Sequence, residues 1–206
     1  MSLDVTLARI AEIHTMLAPR QPAQAKPAAT QFSGQLLDAQ TGLGAQAAAP
    51  LAATPGPAAG TSAGQAVVAL IQKEVGQAEQ PPGSNDSPRI AQYRQATAGS
   101  GVGPWCAYFA SWAAREAGVP LGDQGQGYGR VDDVWAWAER SGKAIPAAGA
   151  TPQPGDLIVW DEHIGVVESV LPDGRVQTIE GNSSDAVTRR VHDASGDGAI
   201  GYVRLG

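Results

Sequence analysis

Cysteine is all but missing from this chain: a single one, Cys106, stands among 206 residues. An internal disulfide is thereby excluded, and so is a zinc or iron–sulfur site built on several thiolates. Basic residues are also in deficit. Lys and Arg number 14 against 20 Asp and Glu, a formal charge of −6 at pH 7, and no Lys/Arg cluster interrupts the acidic background. Such a surface offers no electrostatic footprint for nucleic acid or an anionic membrane, so neither is expected as a partner. Long apolar runs are absent as well. Nothing approaches the ~20 apolar residues of a membrane span, and no membrane insertion is expected. The opening stretch MSLDVTLARIAEIHTMLAP has neither the basic start nor the continuous apolar core of a secretion signal. No set of residues shows metal-ligand spacing, so neither a metal nor a cofactor is expected.

What is present divides the chain in three. Over residues 1–18, Leu3, Leu7, Ile10, His14 and Leu17 share one helical face, Ile13 and Met16 widen it and Pro19 closes it. This predicts an isolated amphipathic helix, in which His14, with no partner in helical reach, is a residue of the face. Residues 19–61 are mostly Ala, Pro, Gln, Gly and Thr, too poor in large apolar groups to offset the entropy of ordering them. They read as a linker, with Phe32, Leu36 and Leu37 marking a transient or docking helix within it. From 62 to 206 the texture is that of a folded domain, long enough to bury a core unaided by staples.

Within that domain, Ser62 and Gln65 fit a capping box, and Val67, Leu70, Ile71 and Val75 form a helical stripe ending at Gly76. A second helix should follow Ser87 and Pro88. A third should run from Trp105 to Ala117 with Pro104 in its first turn and Gly118 as its stop, and a fourth from Val131 to Ser141 with Gly142 as its stop. After TPQPGD the period becomes strand-like in DLIVW, HIGVVESV, RVQTIEG, VTRRVHDA and IGYVRL, each bounded by a turn. Helices followed by an antiparallel meander predict an α+β domain with helices on one face of a sheet.

Cys106 falls in the first turn of the third helix. Unpaired N–H groups and the positive end of the helix dipole surround a sulfur there, a setting that lowers a thiol pKa from about 8.5 toward roughly 3.5–7.5. On position alone this is balanced by the ordinary fate of a free cysteine, burial as a small hydrophobe. A nucleophile needs a base. With His14 outside the domain, the choice lies between His163, which opens a strand, and His192, which sits at a strand-to-loop edge beside Asp193 and reads as a solvated surface group. His163 is preferred. A third group must fix its tautomer, and in QTIEGN both Glu180 and Asn182 would project from one face if the strand persists, so either can serve. Trp105, beside the thiol, and Trp160, near His163, are candidate walls of a substrate cleft, with Trp135 and Trp137 behind them; a core role is the alternative for each.

The stretches PWCAYFASWAAREAG, PGDLIVWDEHIGVVE and IEGNSSDA together resemble the three motifs of the CHAP domain, the cysteine, histidine-dependent amidohydrolase/peptidase family of bacterial and phage peptidoglycan hydrolases. The resemblance covers roughly Ser62 to Leu205 and implies a papain-like α+β fold, with helices packed on one face of a five- to six-stranded antiparallel sheet. It implies that Cys106 is the nucleophile, His163 the base and Glu180 the orienting group, with Asn182 close by. Peptidoglycan becomes the expected partner, and the expected reaction is cleavage of a muramoyl-L-alanine or a stem or cross-bridge peptide bond through an acyl-enzyme, outside the cytoplasm at the cell wall. The chain departs from the family in lacking a cationic wall-binding repeat. It also lacks a clear counterpart of the acidic calcium loop of some phage members; Asp193 and Asp197 in DASGDG read as a turn. The Gly83-Ser84-Asn85 segment resembles a loop in a subgroup of these domains, without a derivable role.

Two other classes stay open: an amidase acting on small molecules such as thiol conjugates, and a non-catalytic wall-binding or structural module on the same fold. The intact cysteine, histidine and E-x-N argue against the second. The amphipathic N-terminal helix and the missing secretion signal fit a phage lysin or tail hydrolase. They also fit a hydrolase exported with the flagellum, since LARIAEIHTML and FSGQLLDAQ resemble the leading segment of some actinobacterial flagellar wall hydrolases. In both settings the helix would meet an export or tail partner.

Overall fold

The computed structural model describes residues 59–206. The expected N-terminal helix with His14, and the linker as far as residue 58, lie outside the described residues. Four helices come first: α1 (Ser62–Ile71), α2 (Pro88–Arg94), α3 (Cys106–Glu116) and α4 (Val131–Arg140). Six short strands follow: β1 (Ala144–Pro146), β2 (Leu157–Val159), β3 (Ile164–Val170), β4 (Val176–Ser183), β5 (Ala186–His192) and β6 (Gly201–Val203). Among the described residues no helix is long and apolar enough to cross a membrane.

The helix ends follow local chemistry, with small shifts from the sequence expectation. The cap of α1 is Thr61, not a box over Ser62 and Gln65: Thr61 Oγ1 accepts from Gly64 N–H at 2.9 Å and donates to Leu205 O at 2.7 Å, while Gln65 Nε2 donates to Ala59 O. A hydroxyl one residue earlier reaches the same orphan donors and also ties the helix start to the end of the chain. Ser87 caps α2 by accepting from Ile90 N–H, with Pro88 in the first turn. α3 begins at Cys106 with Trp105 as N-cap, so Pro104 lies just outside the helix. It ends where Gly118 N–H donates to Arg115 O and Val119 N–H to Ala114 O, the paired closure a left-handed glycine permits.

α3 is buried on every side from Cys106 to Ala114. A helix apolar all round belongs in a core, and its alanines let neighbours approach closely. It packs against α1, α2 and α4 and lies on β3 and β4. The sheet is open, in the order β1-β6-β2-β3-β4-β5, with every neighbouring pair antiparallel. The meander expected from the sequence therefore holds for β2 to β5 only. β6 returns to pair with β2, where Leu157 meets Val203, and on its other side with β1, where Ala144 meets the same residue. β1 had no counterpart in the sequence reading, since three residues ending in proline show no strand period; partnership with β6 makes them a strand.

Alternation along the strands splits the apolar residues between two faces. Leu157, Val159, Val166, Ile179, Val187 and Val203 join the helices in the main core, whereas Ile158, Val167, Val176 and Tyr202 form a smaller cluster with Ala199 and Trp160 on the opposite face. The site lies at the end of the sheet where these two faces meet the start of α3.

Candidate active site

Cys106, the first helical residue of α3, is only 5 % exposed and lines an open pocket of about 540 Å³. Its helix start is clamped from behind. Trp105 is fully buried and its Nε1–H donates to Glu79 Oε1 at 2.9 Å, while Glu79 Oε2 accepts from Asn85 N–H at 2.7 Å. A buried carboxylate thus holds the Gly83-Ser84-Asn85 loop to the residue that precedes the thiol, which gives that loop a structural role. The same burial corrects the expectation that Trp105 walls a substrate cleft. An indole with no exposed surface belongs to the core, where it stacks on Tyr93 with ring centroids 5.9 Å apart.

His163 sits in the turn before β3. Its Nε2–H donates to Glu180 Oε2 at 2.9 Å, leaving Nδ1 as the nitrogen available to the Cys106 thiol. Glu180, on β4 and only 3 % exposed, is fixed at its other oxygen by Thr178 Oγ1–H at 2.6 Å. Two glycines make this approach possible. A Cβ on Gly165 would stand 2.7 Å from Glu180 Cγ, and one on Gly181 would stand 2.6 Å from Phe109 Cβ on α3. The glycines of the HIG and EGN stretches therefore leave room for the carboxylate and for the helix that carries the thiol.

The electrostatics follow from these contacts. Burial pushes the His163 imidazole down, but the hydrogen bonds and charges of Cys106 and Glu180 outweigh it and raise its pKa to about 9. Burial likewise pushes Glu180 up, and hydrogen bonds from His163, Thr178 and His192 outweigh that, holding it at about 2. The stability His163 contributes is therefore complete below its ordinary value of 6.5 and lost as pH rises through about 9. That of Glu180 is complete above 4.5 and lost as pH falls through about 2.

The structure separates the two candidates for the third position. Asn182 has a left-handed φ of 56°, and the β4–β5 register shifts between Glu180 and Ser183. The bulge breaks the alternation that would have put both side chains on one face, and Asn182 makes no side-chain hydrogen bond among the described residues. His192 also differs from expectation. Instead of a solvated surface group it is 12 % exposed, with Nε2 at 2.7 Å from Glu180 Oε1 and Nδ1 at 2.9 Å from Asp197 Oδ2. The turn after β5 folds back over it: Asp193 Oδ1 accepts from the N–H groups of Ser195 and Asp197 and from Ser195 Oγ–H. Trp160 lies between the two imidazoles, with centroids 5.6 Å from His163 and 4.8 Å from His192, and its Nε1–H donates to Gly196 O. It packs on the rings of the site. Trp137 is buried in the main core and Trp135 is packed against it.

Sequence reasoning missed the rest of the pocket. Tyr108, Gly129, Arg130, Asp132, Asp161 and Glu162 line it with Cys106. Tyr108 lies on α3 two residues after the thiol, off its helical face, and the others come from the start of α4 and from loops, so no local pattern places any of them at the pocket.

Comparison with known proteins adds a family. Residues 97–182 match the family model of the CHAP domain, a segment that includes Cys106, His163, Glu180 and Asn182 and stops short of His192. No curated protein matches the chain. The part of the chain that carries the cysteine, the histidine and the buried glutamate is therefore similar to the CHAP domain, a family whose members act on peptidoglycan.

Proposed function

We propose that the domain hydrolyses an amide bond of peptidoglycan, muramoyl-L-alanine or a stem or cross-bridge peptide bond, with Cys106 as nucleophile, His163 as base and Glu180 as the group that orients it. One observation carries this reading: a thiol at a helix start, open to a pocket, beside an imidazole whose far nitrogen is held by a buried carboxylate. With the imidazole favoured as the cation and the sulfur as its partner, the thiolate attacks the amide carbonyl carbon. The oxygen becomes negative beside the first-turn N–H groups of α3, which Trp105 leaves without a side-chain cap. The C–N bond breaks as His163 gives its Nδ1 proton to the leaving amine. Neutral His163 then takes a proton from water, whose oxygen attacks the thioester and returns the sulfur as thiolate. Glu180 keeps the ring in one tautomer through both halves.

The pocket carries Arg130 alongside Asp132, Asp161 and Glu162, a mixed polar lining suited to a peptide stem with charges of both signs. We assign catalysis to residues 62–206, with 19–61 as tether and 1–18 as the segment that meets an export or tail partner on a flagellar or phage route to the wall. Digestion of purified sacculi, with mass spectrometry of the released fragments, identifies the bond: new N-terminal L-alanine marks an amidase, new termini within the stem or bridge an endopeptidase. Intact sacculi alongside turnover of small amides would reject peptidoglycan as substrate.

The pH profile is a second expectation. Turnover needs the protonated imidazole, so kcat/KM should fall as pH rises through about 9, the value set for His163. Because the Cys106 interaction leads the contributions that raise it, the same titration followed by imidazole NMR should move downward in Cys106→Ala. An unmoved titration would sink the pairing.

A further inference from the structure

Glu180 serves two rings. Its Oε2 accepts from His163, while its Oε1 accepts from Thr178 and faces His192 Nε2 at 2.7 Å. The other nitrogen of His192 faces a second carboxylate, Asp197 Oδ2, at 2.9 Å. Carboxylate oxygens only accept, so both contacts are hydrogen bonds when both nitrogens of His192 carry protons. The result is an alternating row of sulfur, imidazole, carboxylate, imidazole and carboxylate across the end of the sheet. We propose that His192, backed by Asp197, is a positioning residue that locks the Glu180 carboxylate in place by engaging its Oε1, so that Glu180 orients His163 without overbinding its proton.

The supporting geometry is local and built. His192 closes β5 opposite Val176, on the sheet face that carries Thr178 and Glu180. Trp160 packs against both rings and is anchored on Gly196, within the same turn that supplies Asp197. The charged groups around His192 are Glu180 on β4, Asp197 and Asp193 on the turn, His163 before β3 and Arg190 on its own strand, the last engaged with Ser183 and Ser184. Thr178 alone leaves Oε1 with one short donor. A carboxylate held at only one oxygen can rotate, and rotation costs the His163 hydrogen bond its direction.

This rests on Cys106 and His163 being nucleophile and base, and the experiment separates the two ideas. In the full chain, His192→Phe keeps a ring for Trp160 but removes the donor, His192→Gln returns a donor, and Asp197→Asn leaves the ring in place with its backing carboxylate neutral. Steady-state hydrolysis of soluble peptidoglycan fragments against pH is followed with Cys106→Ala as control. We expect His192→Phe to lower kcat about tenfold with KM unchanged, the size usual for an outer partner that orients a reacting group. His192→Gln should recover most of that loss. In His192→Phe the alkaline limb should move up by about half a unit to one unit, because Glu180 Oε1 loses a hydrogen-bond donor and the carboxylate holds the His163 proton more tightly; His192→Gln and Asp197→Asn should move it in the same direction by less. A purely structural role would reduce the fraction of folded enzyme and leave the limb where it was. An unmoved limb in the Phe variant, beside an inactive Cys106→Ala, overturns the inference and leaves the nucleophile standing; an active Cys106→Ala overturns both.

Discussion

Cys106→Ala and His163→Ala are each expected to reduce sacculus hydrolysis by about 10⁴-fold or more, because nucleophile and base act as a unit and either loss forfeits the covalent route. The fold should survive both. Cys106 is small and replaced by a residue of similar size, and His163 lies in a turn at the sheet end. Glu180→Gln should retain a measurable remainder, since nucleophile and base persist and only the charge that holds the imidazolium is gone. Asn182→Ala should cost less than Glu180→Gln, as its side chain holds nothing in the site. Iodoacetamide labelling at neutral pH gives an independent check: Cys106 should alkylate faster in the wild type than in His163→Ala. Equal labelling in the two, or a Cys106→Ala protein that still cleaves, would return the thiol to a packing role.

The second large effect is expected where no catalytic group is touched. Gly181→Ala places a methyl 2.6 Å from Phe109 Cβ, 2.8 Å from Phe109 Cγ and 3.0 Å from Trp105 on the α3 side of β4. Neither neighbour can yield easily, since both rings are buried in the main core. Relief requires α3 and β4 to separate by a fraction of an ångström to an ångström. Overpacking of this kind costs about 1–3 kcal/mol, with Tm falling by about 2–4 °C for each kcal/mol. The larger consequence is kinetic. α3 carries the thiol and β4 the carboxylate, so the separation misaligns Cys106 with His163, and a displacement near 1 Å costs about 10²-fold in rate. Thermal unfolding and hydrolysis measured together test this: lost stability with full activity would show that the site does not depend on that contact.

Local pattern revealed what local forces decide. Gly118 and Gly142 stop their helices where the periodicity ends, Ser87 and Pro88 open α2, and β2 to β5 fall where the alternation lies. Cys106, His163 and Glu180 were legible because each sits on or beside a regular element whose direction is known. The misreadings share a cause, which is that long-range closure outranks neighbours in sequence. His192 beside Asp193 reads as polar surface until the turn carrying Asp197 folds over it and Trp160 packs against it. Asn182 keeps the spacing of a same-face residue, but the bulge spends that spacing on a left-handed step. Trp105 beside a thiol suggests a cleft wall, and only the distant Glu79 shows that its N–H points into the protein.

The open sheet has one further consequence, for how copies of this protein behave when crowded together. A sheet that does not close leaves two edges whose free backbone groups are templates for pairing with another chain. One edge here is β1, three residues long and ending in Pro146, too short and too poor in donors to recruit a partner. The other is β5, and half of it is already occupied: Gly76 N–H donates to Val187 O, Val187 N–H to Gln77 O and Glu79 N–H to Asp185 O, so the segment after α1 lies along it as a cover. The half that no described residue covers carries Arg189 and Arg190 in succession, two charged side chains that disfavour an apolar strand pairing beside them. Resistance to edge-to-edge aggregation is thus built into the strand that ends at His192.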